Sequence, residues 1–227
     1  MKNDKKLVLC FISVSIVVSI YKVLNNRFYS TDKFPALKIL EDNWKIIADE
    51  YAMLPKDVMI KNGGRSQNSW YGDKEFKELA KLHETKYGWV NGWKVGEKGA
   101  NKNWNNWGLV FDGNQLGKNA EMCPRTSKLL ASIPGIQVAG FSVLKPDSVI
   151  TPHTDSTGIK YNSLTYHLGL DIPHDGNNKL HVSGNSMKQQ NGKAFLFDAT
   201  HSHHTYNTSK THDRAILYMA VDISNLQ

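Results

Sequence analysis

The chain has 227 residues, 40% of them hydrophobic, and a formal net charge of +7 at pH 7. This length and apolar content can bury one hydrophobic core, which excludes a disordered protein. The positive charge comes mostly from scattered lysines, whereas nucleic-acid-binding proteins concentrate arginine and lysine on one element, so no nucleic-acid partner is predicted. The two cysteines, Cys10 and Cys123, exclude a disulfide framework and a cysteine zinc site.

The first predicted element is a membrane anchor. Lysines near the N-terminus precede an uncharged apolar stretch, Leu7 to Tyr21, which extends to Leu24 if Lys22 snorkels. No small-residue cleavage site follows, so an uncleaved anchor is favoured over a cleaved signal peptide. The positive flank predicts residues 1–30 as a cytoplasmic tail and single membrane helix, with residues 31–227 as a domain on the non-cytoplasmic, lumenal side.

Helical patterns dominate the next part of the chain. Apolar residues at helical spacing predict an amphipathic helix over residues 35–52 and a weaker helix over residues 75–84. Residues 87–111 are rich in glycine, asparagine and tryptophan, which predicts short pieces rather than one long element. Residues 123–135 predict a short helix that Pro134 and Gly135 stop.

From about Gln137 onward, short β-branched and aromatic runs alternate with turn sequences at a spacing of roughly ten residues. This pattern predicts a small antiparallel sandwich or barrel. The runs are QVAGFSVLK, SVIT, SLTYHLGLDI, KLHVSG, KAFLFDA and RAILYMAVDI.

A candidate metal site falls within this β region. Residues i and i+2 of a strand point to the same face, so His153 and Asp155 are predicted to project inward, with His203 alongside on a later strand. Two imidazoles and one carboxylate form the facial triad that holds non-haem Fe(II). One alternative is a surface turn with a hydrogen-bonded aspartate, and another is that His201 replaces His203 if the strand register shifts by two.

Arg214 opens the last predicted strand, eleven residues after His203. A guanidinium inside a barrel needs an anionic partner, and a dicarboxylate co-substrate would supply one. Pairing of Arg214 with Asp213 or Asp198 is the structural alternative. The remaining histidines in turn-like or polar surroundings are predicted to be surface residues: His83, His174, His181 and His212.

Taken in order, these motifs resemble the aspartyl/asparaginyl β-hydroxylase family of Fe(II)- and 2-oxoglutarate-dependent oxygenases. The resemblance implies a mainly β, double-stranded β-helix (jelly-roll) fold, here with N-terminal helices and the anchor helix. It also implies that 2-oxoglutarate is split to succinate and carbon dioxide while one oxygen atom enters a substrate C–H bond. It covers about residues 100–223 and rests on NWNNWGLVF, CPRTSKLLASIPG, FSVLKPDSVITPHTD, YHLGLDIP, NGKAFLFDATHSHHTYN and RAILYMAVDI.

The resemblance assigns roles position by position. The family's two metal histidines match the two histidines of the predicted triad. Ser142 and Arg214 match the pair that binds the distal carboxylate of 2-oxoglutarate. His167 matches a histidine near the other end of this co-substrate, and Trp104 matches a tryptophan that lines the site.

Two departures from the family pattern bear on the substrate. Animal protein-hydroxylating members have glycine where this chain has Asp155. An aspartate at this position is more similar to the bacterial branch, which includes lipid A acyl-chain hydroxylases. Animal members also have arginine where this chain has Thr165. We expect Asp or Asn side chains of a protein or peptide as substrate, with a lipid acyl chain as the alternative. A non-oxygenase, cupin-like metal-binding protein would have no use for Ser142 and Arg214, and no oligomeric state follows from the sequence.

Overall fold

The computed structural model describes residues 27–60, 74–94, 99–155 and 162–226. Short 3-10 helices lie at Thr31–Lys33, Pro35–Leu37 and Ile223–Asn225. The α-helices are α1 (Lys38–Asp42), α2 (Trp44–Met53), α3 (Lys74–His83), α4 (Gly117–Glu121) and α5 (Pro124–Ala131). The strands are β1 (Phe28–Tyr29), β2 (Val90–Trp93), β3 (Ala100–Phe111), β4 (Asn114–Gln115), β5 (Ile136–Leu144), β6 (Ser148–His153), β7 (Ser163–Asp171), β8 (Lys179–Val182), β9 (Asn185–Lys188), β10 (Ala194–Phe197), β11 (His203–Asn207) and β12 (Arg214–Asp222).

The strands form two antiparallel sheets. The larger sheet has the order β1-β10-β7-β12-β5-β3-β2, with β4 paired to β3, and the smaller sheet has the order β6-β11-β8-β9. The last eight strands therefore divide equally between the sheets, with β5, β7, β10 and β12 in the larger one. This double Greek-key arrangement is that of a jelly roll, so the predicted mainly β jelly-roll fold is confirmed.

Side chains of the larger sheet alternate between two environments. On β12, Ala215, Leu217 and Met219 belong to the main hydrophobic core, which also contains Leu40 and Ile47 from the N-terminal helices. The intervening residues of β12 point the other way, into a cavity between the sheets. Packing against the helices therefore occupies one face of the larger sheet and leaves the other face available for a binding site.

The helices near the N-terminus match the predictions with one difference. The predicted helix over residues 35–52 is divided at Asn43 into α1 and α2, and the Asn43 side chain donates a hydrogen bond to the carbonyl of Ile39. The predicted helix over residues 75–84 is α3. An asparagine amide that bonds nearby carbonyls competes with the helical pattern, which accounts for the division.

The prediction of only short pieces over residues 87–111 is wrong. The twelve residues of β3 form one strand that pairs with β2 on one side and with β5 on the other. Irregular register occurs between Asn91 and Gly92 and between Gly108 and Val110. Pairing on both sides thus overrides the turn propensity of asparagine and glycine, with bulges accommodating the irregular positions.

The predicted anchor at residues 7–24 lies outside the described residues and stays a prediction, as does the division at residue 30. In the described part of the chain, no helix is both long and apolar enough to cross a membrane. Phe28 is buried against Phe195 and Phe197, and β1 pairs with β10. Residues just before the predicted boundary at residue 30 therefore pack against the folded domain.

The buried carboxylate of Glu50 connects α2 to the start of α5. It accepts hydrogen bonds from the backbone N–H groups of Arg125 and Thr126 and from both of their side chains. Burial raises the pKa of Glu50, but these hydrogen bonds outweigh burial and hold it below its ordinary value of 4.5. A carboxylate with a depressed pKa stabilises the fold above its unfolded-state pKa, and this contribution is lost as the pH falls through the folded-state value.

Glu50→Gln is therefore expected to lower the free energy of unfolding by about 1–3 kcal/mol near neutral pH. The difference from wild type should start to shrink as the pH falls below 4.5 and be smallest below the depressed folded-state pKa, where the wild-type carboxyl group is protonated as well. Urea unfolding across this pH range measures both effects. Glu121→Gln is the matched control, since the Glu121 side chain is exposed and should change stability little. An equal loss at every pH would contradict the ionic role of Glu50.

Candidate metal and co-substrate site

Three side chains at adjacent strand ends form a group that can hold a metal ion. His153 ends β6 and His203 begins β11, and the two residues lie directly opposite each other in the antiparallel pair. Asp155 Oδ1 lies 3.8 Å from Nε2 of His153, and Asp155 Oδ2 lies 3.8 Å from Nε2 of His203. One ligand atom from each of the three residues lies within 4.8 Å of the others. The structure thus brings together the three residues of the predicted triad.

The backbone fixes the orientation of both imidazoles. Nδ1 of His153 lies 2.8 Å from the carbonyl oxygen of Thr151, and Nδ1 of His203 lies 2.9 Å from that of His201. A carbonyl oxygen only accepts, so each Nδ1 donates its hydrogen, and Nε2 is the ring nitrogen left to face a metal. Burial lowers the pKa of His203 by more than the Asp155 carboxylate raises it. His203 is therefore suited to bind a metal as a neutral ligand.

Asp155 reaches the site by a different route from the one the sequence predicted. Strand β6 ends at His153, so strand alternation does not position Asp155. Its backbone N–H instead donates to the carbonyl of Ala199, which ties the segment after β6 to the segment before β11. This hydrogen bond holds the segment that carries Asp155 close to the segment that leads into His203.

The neighbouring histidines have other contacts. Nδ1 of His201 lies 3.2 Å from a carboxylate oxygen of Asp198, and His201 orients His203 through its carbonyl. The ring of His204 stacks on that of His181 from the adjacent strand, with centroids 4.6 Å apart. In the described part of the chain, His203 is thus the histidine of this cluster that meets His153 and Asp155.

Arg214 is a buried cation that forms no ion pair with the residues the structure describes. Its side chain is 1% exposed and borders the cavity, and in the described residues neither Nε nor Nη1 has a hydrogen-bond partner. Of the two aspartates considered as partners, Asp213 pairs with Lys145 and Asp198 accepts hydrogen bonds from Thr200. Burial lowers the pKa of Arg214 to about 10, so it remains charged at neutral pH. The arrangement fits a carboxylate-bearing ligand.

Ser142 and Trp104 lie beside Arg214 on the inner face of the larger sheet. The Trp104 indole N–H donates to Ser142 Oγ at 2.9 Å. Ser142 pairs with Ile216, two residues along β12 from Arg214, so the two polar side chains share a face. A Cβ atom at Gly92 would overlap the Trp104 indole, so a residue without a side chain is needed there. No sequence motif marks this role of Gly92.

His167 borders the same cavity from β7. Burial lowers its pKa well below the ordinary value, and the positive charges of Arg214 and His203 lower it further. The imidazole is therefore neutral. Its Nδ1 lies 3.4 Å from the side-chain Nε2 of Gln189, a buried residue that the sequence analysis did not single out. No sequence motif marks Gln189, because its position depends on how the segment after β9 returns to β7.

The seven residues predicted for the site line one cavity, which encloses about 1180 Å³ of space free of protein atoms, counted out to its mouth. His83 also lines this cavity and is 1% exposed, so its prediction as a surface residue is wrong. Helix α3, which carries His83, contributes to the cavity wall. Apolar residues form a large part of the cavity wall, among them Leu79, Val90, Val110, Leu116, Val138 and Ala220.

A sequence profile of aspartyl/asparaginyl β-hydroxylases matches residues 41–223. The chain belongs to this family. Aspartate beta-hydroxylase domain-containing protein 2 of Xenopus tropicalis is 33% identical over 138 residues, which cover 58% of this chain and 36% of that protein. Ornithine lipid ester-linked acyl 2-hydroxylase of Rhizobium tropici is 33% identical over 120 residues, which cover 51% of this chain and 40% of that protein. The chain thus matches less than half the length of either relative.

Among solved structures, an oxidoreductase of the 2OG-Fe(II) oxygenase family from Burkholderia pseudomallei aligns with a TM-score of 0.41 and 10% sequence identity. The alignment covers 74% of this chain and 96% of that one. The family match includes every residue predicted for the site, and the predicted family is confirmed.

Thr165 marks a difference from the arginine that resemblance to animal β-hydroxylases places here. It is buried on β7, pairs with Ala220 of β12 and borders the cavity. Among the described residues that line the cavity, Arg214 is the one permanently charged cation. If a second carboxylate entered the cavity, the other described lining residues would therefore offer it only histidines as possible cationic partners.

Proposed function

We propose that the chain is an Fe(II)- and 2-oxoglutarate-dependent dioxygenase that hydroxylates a C–H bond. The observation that carries this proposal is the buried Arg214 guanidinium, which borders the same cavity as the triad and has two nitrogens without partners in the described residues. A cupin-like metal-binding protein that is not an oxygenase would use the triad but would gain nothing from this cation. An unpaired buried charge is costly unless a ligand compensates it.

The site residues then have distinct roles. His153, Asp155 and His203 would hold Fe(II) through Nε2 and carboxylate oxygens, leaving positions open for ligands. Arg214 and Ser142 would bind the distal carboxylate of 2-oxoglutarate. Bound Fe(II), oxygen and 2-oxoglutarate supply the oxidising chemistry, while the protein supplies geometry and a dry pocket.

Two further residues would hold this arrangement in place. Trp104 fixes Ser142 by donating to its hydroxyl oxygen, so Ser142 Oγ keeps its own hydrogen available for a ligand carboxylate. His167 would lie near the keto-acid end of 2-oxoglutarate as a neutral ring. A neutral hydrogen-bond donor there supports an anionic ligand without adding a second buried charge.

Two substrate classes fit this site. The first is an Asp or Asn side chain of a protein or peptide, as the family implies. Because Arg214 is the permanent cation of the described cavity wall and is assigned to the co-substrate, we expect Asn to be preferred over Asp. The second class is a lipid acyl chain, and the observation that favours it is the large apolar part of the cavity wall.

Turnover by the purified full-length chain tests both the activity and the substrate class. With Fe(II), 2-oxoglutarate and air, succinate formation should rise in the presence of a true substrate. Matched peptides that differ only in Asp or Asn, together with acyl lipids of increasing chain length, form the panel. We expect the Asn peptide to be used at least about tenfold better than the Asp peptide, the factor that about 1.4 kcal/mol of carboxylate desolvation gives.

Succinate formation that increases with acyl length, without response to either peptide, would identify the lipid class. A preference for the Asp peptide would contradict the argument from Thr165. If anaerobic mixing of chain, Fe(II) and 2-oxoglutarate gives no metal-to-ligand charge-transfer absorption, and no succinate forms in air, the oxygenase proposal is wrong.

A further inference from the structure

We propose that Gln189 is a positioning residue that holds His167 in the neutral tautomer with its hydrogen on Nε2, so that His167 donates a hydrogen bond to the keto-acid end of 2-oxoglutarate. The second half of this inference, the hydrogen bond from His167 to 2-oxoglutarate, rests on the proposed function. The first half, the choice of tautomer, concerns the protein without metal or co-substrate.

Gln189 is held against His167 by the backbone around it. Its side chain is 2% exposed, and its backbone N–H donates to the carbonyl of Asn178. The next turn is bound to β7 by two backbone hydrogen bonds. The N–H of Gly192 donates to the carbonyl of Gly169, and the N–H of Gly169 donates to the carbonyl of Lys193. The segment is thereby fixed on both sides of Gln189.

Gly169 makes this close approach possible. A Cβ atom at residue 169 would overlap the backbone carbonyl of Gln190, so β7 can come this near only where it lacks a side chain. His167 lies two residues before Gly169 on the same strand and points to the same face. The contact between Gln189 and His167 is therefore built by backbone packing and does not depend on a flexible surface loop.

The chemistry of the two side chains then selects one tautomer. Burial, together with the charges of Arg214 and His203, keeps His167 neutral, so its ring carries a single hydrogen. The amide nitrogen of Gln189 lies 3.4 Å from Nδ1 and can only donate, so in this orientation of the amide Nδ1 accepts. The hydrogen is consequently on Nε2, the ring nitrogen left for a ligand in the cavity that His167 lines.

This tautomer matters because the proposed ligand is an anion. An Nε2–H group donates to a carboxylate or keto oxygen, whereas an Nε2 lone pair would repel it. The opposite tautomer would arise if the Gln189 amide were reversed, with its oxygen facing Nδ1. The two arrangements place the hydrogen on different nitrogens, so experiment can distinguish them.

Long-range ¹H–¹⁵N correlation spectra of the metal-free, full-length chain report the tautomer of His167, with a His167→Phe spectrum for assignment. In wild type we expect the hydrogen on Nε2. In Gln189→Glu the carboxylate only accepts, so the hydrogen should move to Nδ1. Gln190→Glu is the matched control, because it adds the same charge one residue away on an exposed side chain and should leave the tautomer unchanged.

Anaerobic titration with 2-oxoglutarate in the presence of Fe(II) gives the second readout. Gln189→Glu should weaken 2-oxoglutarate binding by about tenfold or more with Fe(II) affinity retained, and Gln190→Glu should bind as wild type. Gln189→Met, which removes the donor at similar size, should populate both tautomers and provides a test if the glutamate variant fails to fold.

Two results would overturn the proposal: a wild-type His167 with its hydrogen on Nδ1, or a Gln189→Glu variant with the wild-type tautomer. If the tautomers behave as expected but wild type does not bind 2-oxoglutarate, the proposed function fails. The co-substrate half of this inference would then fail with it, while the tautomer half would be supported.

Discussion

Replacing His203 with alanine is expected to abolish both Fe(II) binding and succinate formation. The replacement removes one of three ligand atoms that lie within 4.8 Å of one another and leaves the Asp155 carboxylate facing a single imidazole. Loss of an orienting partner alone typically costs 10–100-fold in metal affinity, so loss of a ligand should cost about 100-fold or more. Anaerobic Fe(II) titration measures the affinity, and thermal unfolding verifies that the fold persists.

His201→Ala is the matched control for this experiment. It removes an imidazole two residues away but keeps the backbone carbonyl that orients His203. The His201 ring contacts Asp198 and Thr200 and not the triad, so iron affinity should change by less than about tenfold. If His201→Ala abolished iron binding while His203→Ala retained it, the metal ligand would have to be reassigned to His201.

Arg214→Met is expected to change co-substrate binding and stability in opposite directions. Removing a buried charge-assisted contact costs about 2–5 kcal/mol of binding, so the affinity for 2-oxoglutarate should fall by at least about thirtyfold. Without ligand, the same change removes a buried cation whose Nε and Nη1 lack partners in the described residues. The metal-free chain should therefore be as stable as wild type or more stable.

Thermal unfolding with and without 2-oxoglutarate, at constant Fe(II) under anaerobic conditions, measures both effects. Wild type should gain stability with co-substrate concentration, and Arg214→Met should gain little. Arg214→Lys keeps the charge but lacks the forked donors, so its affinity should lie between the two. A destabilised Arg214→Met chain that still binds 2-oxoglutarate normally would assign Arg214 to the structure and not to the ligand.

Most strands and the His-x-Asp pair of the triad could be predicted because these signals are local, whereas His203 was assigned by expecting a later strand to lie alongside. β-Branched and aromatic runs between turn sequences marked β5, β7, β10 and β12, and the His-x-Asp spacing marked two members of the candidate metal site, although strand alternation does not position Asp155. The edge strand β9 was missed because its sequence, NSMK, has no apolar alternation and its side chains are mostly exposed. The long strand β3 was missed because its asparagines and glycines favour turns until neighbouring strands pair with them.

Residues that act through distant neighbours could not be predicted in this way. Gln189 contacts a histidine 22 residues earlier in the chain, and Gly92 makes room for an indole on the neighbouring strand. His83 becomes buried because α3 contributes to the cavity wall, and an amphipathic pattern does not specify which surface a helix covers. For these residues, the function depends on the tertiary packing and leaves no local sequence pattern.

The position of β12 has a consequence for synthesis of the chain. It leaves the ribosome after the other described strands, yet it lies between β7 and β5 in the larger sheet. Until it inserts, both neighbours present unpaired edges, which are templates for aggregation. Because β12 also carries Arg214, a nascent or C-terminally truncated chain lacks the proposed anion-binding group and the central strand together. Premature stop codons before residue 214 are therefore expected to yield insoluble protein instead of a folded, inactive domain.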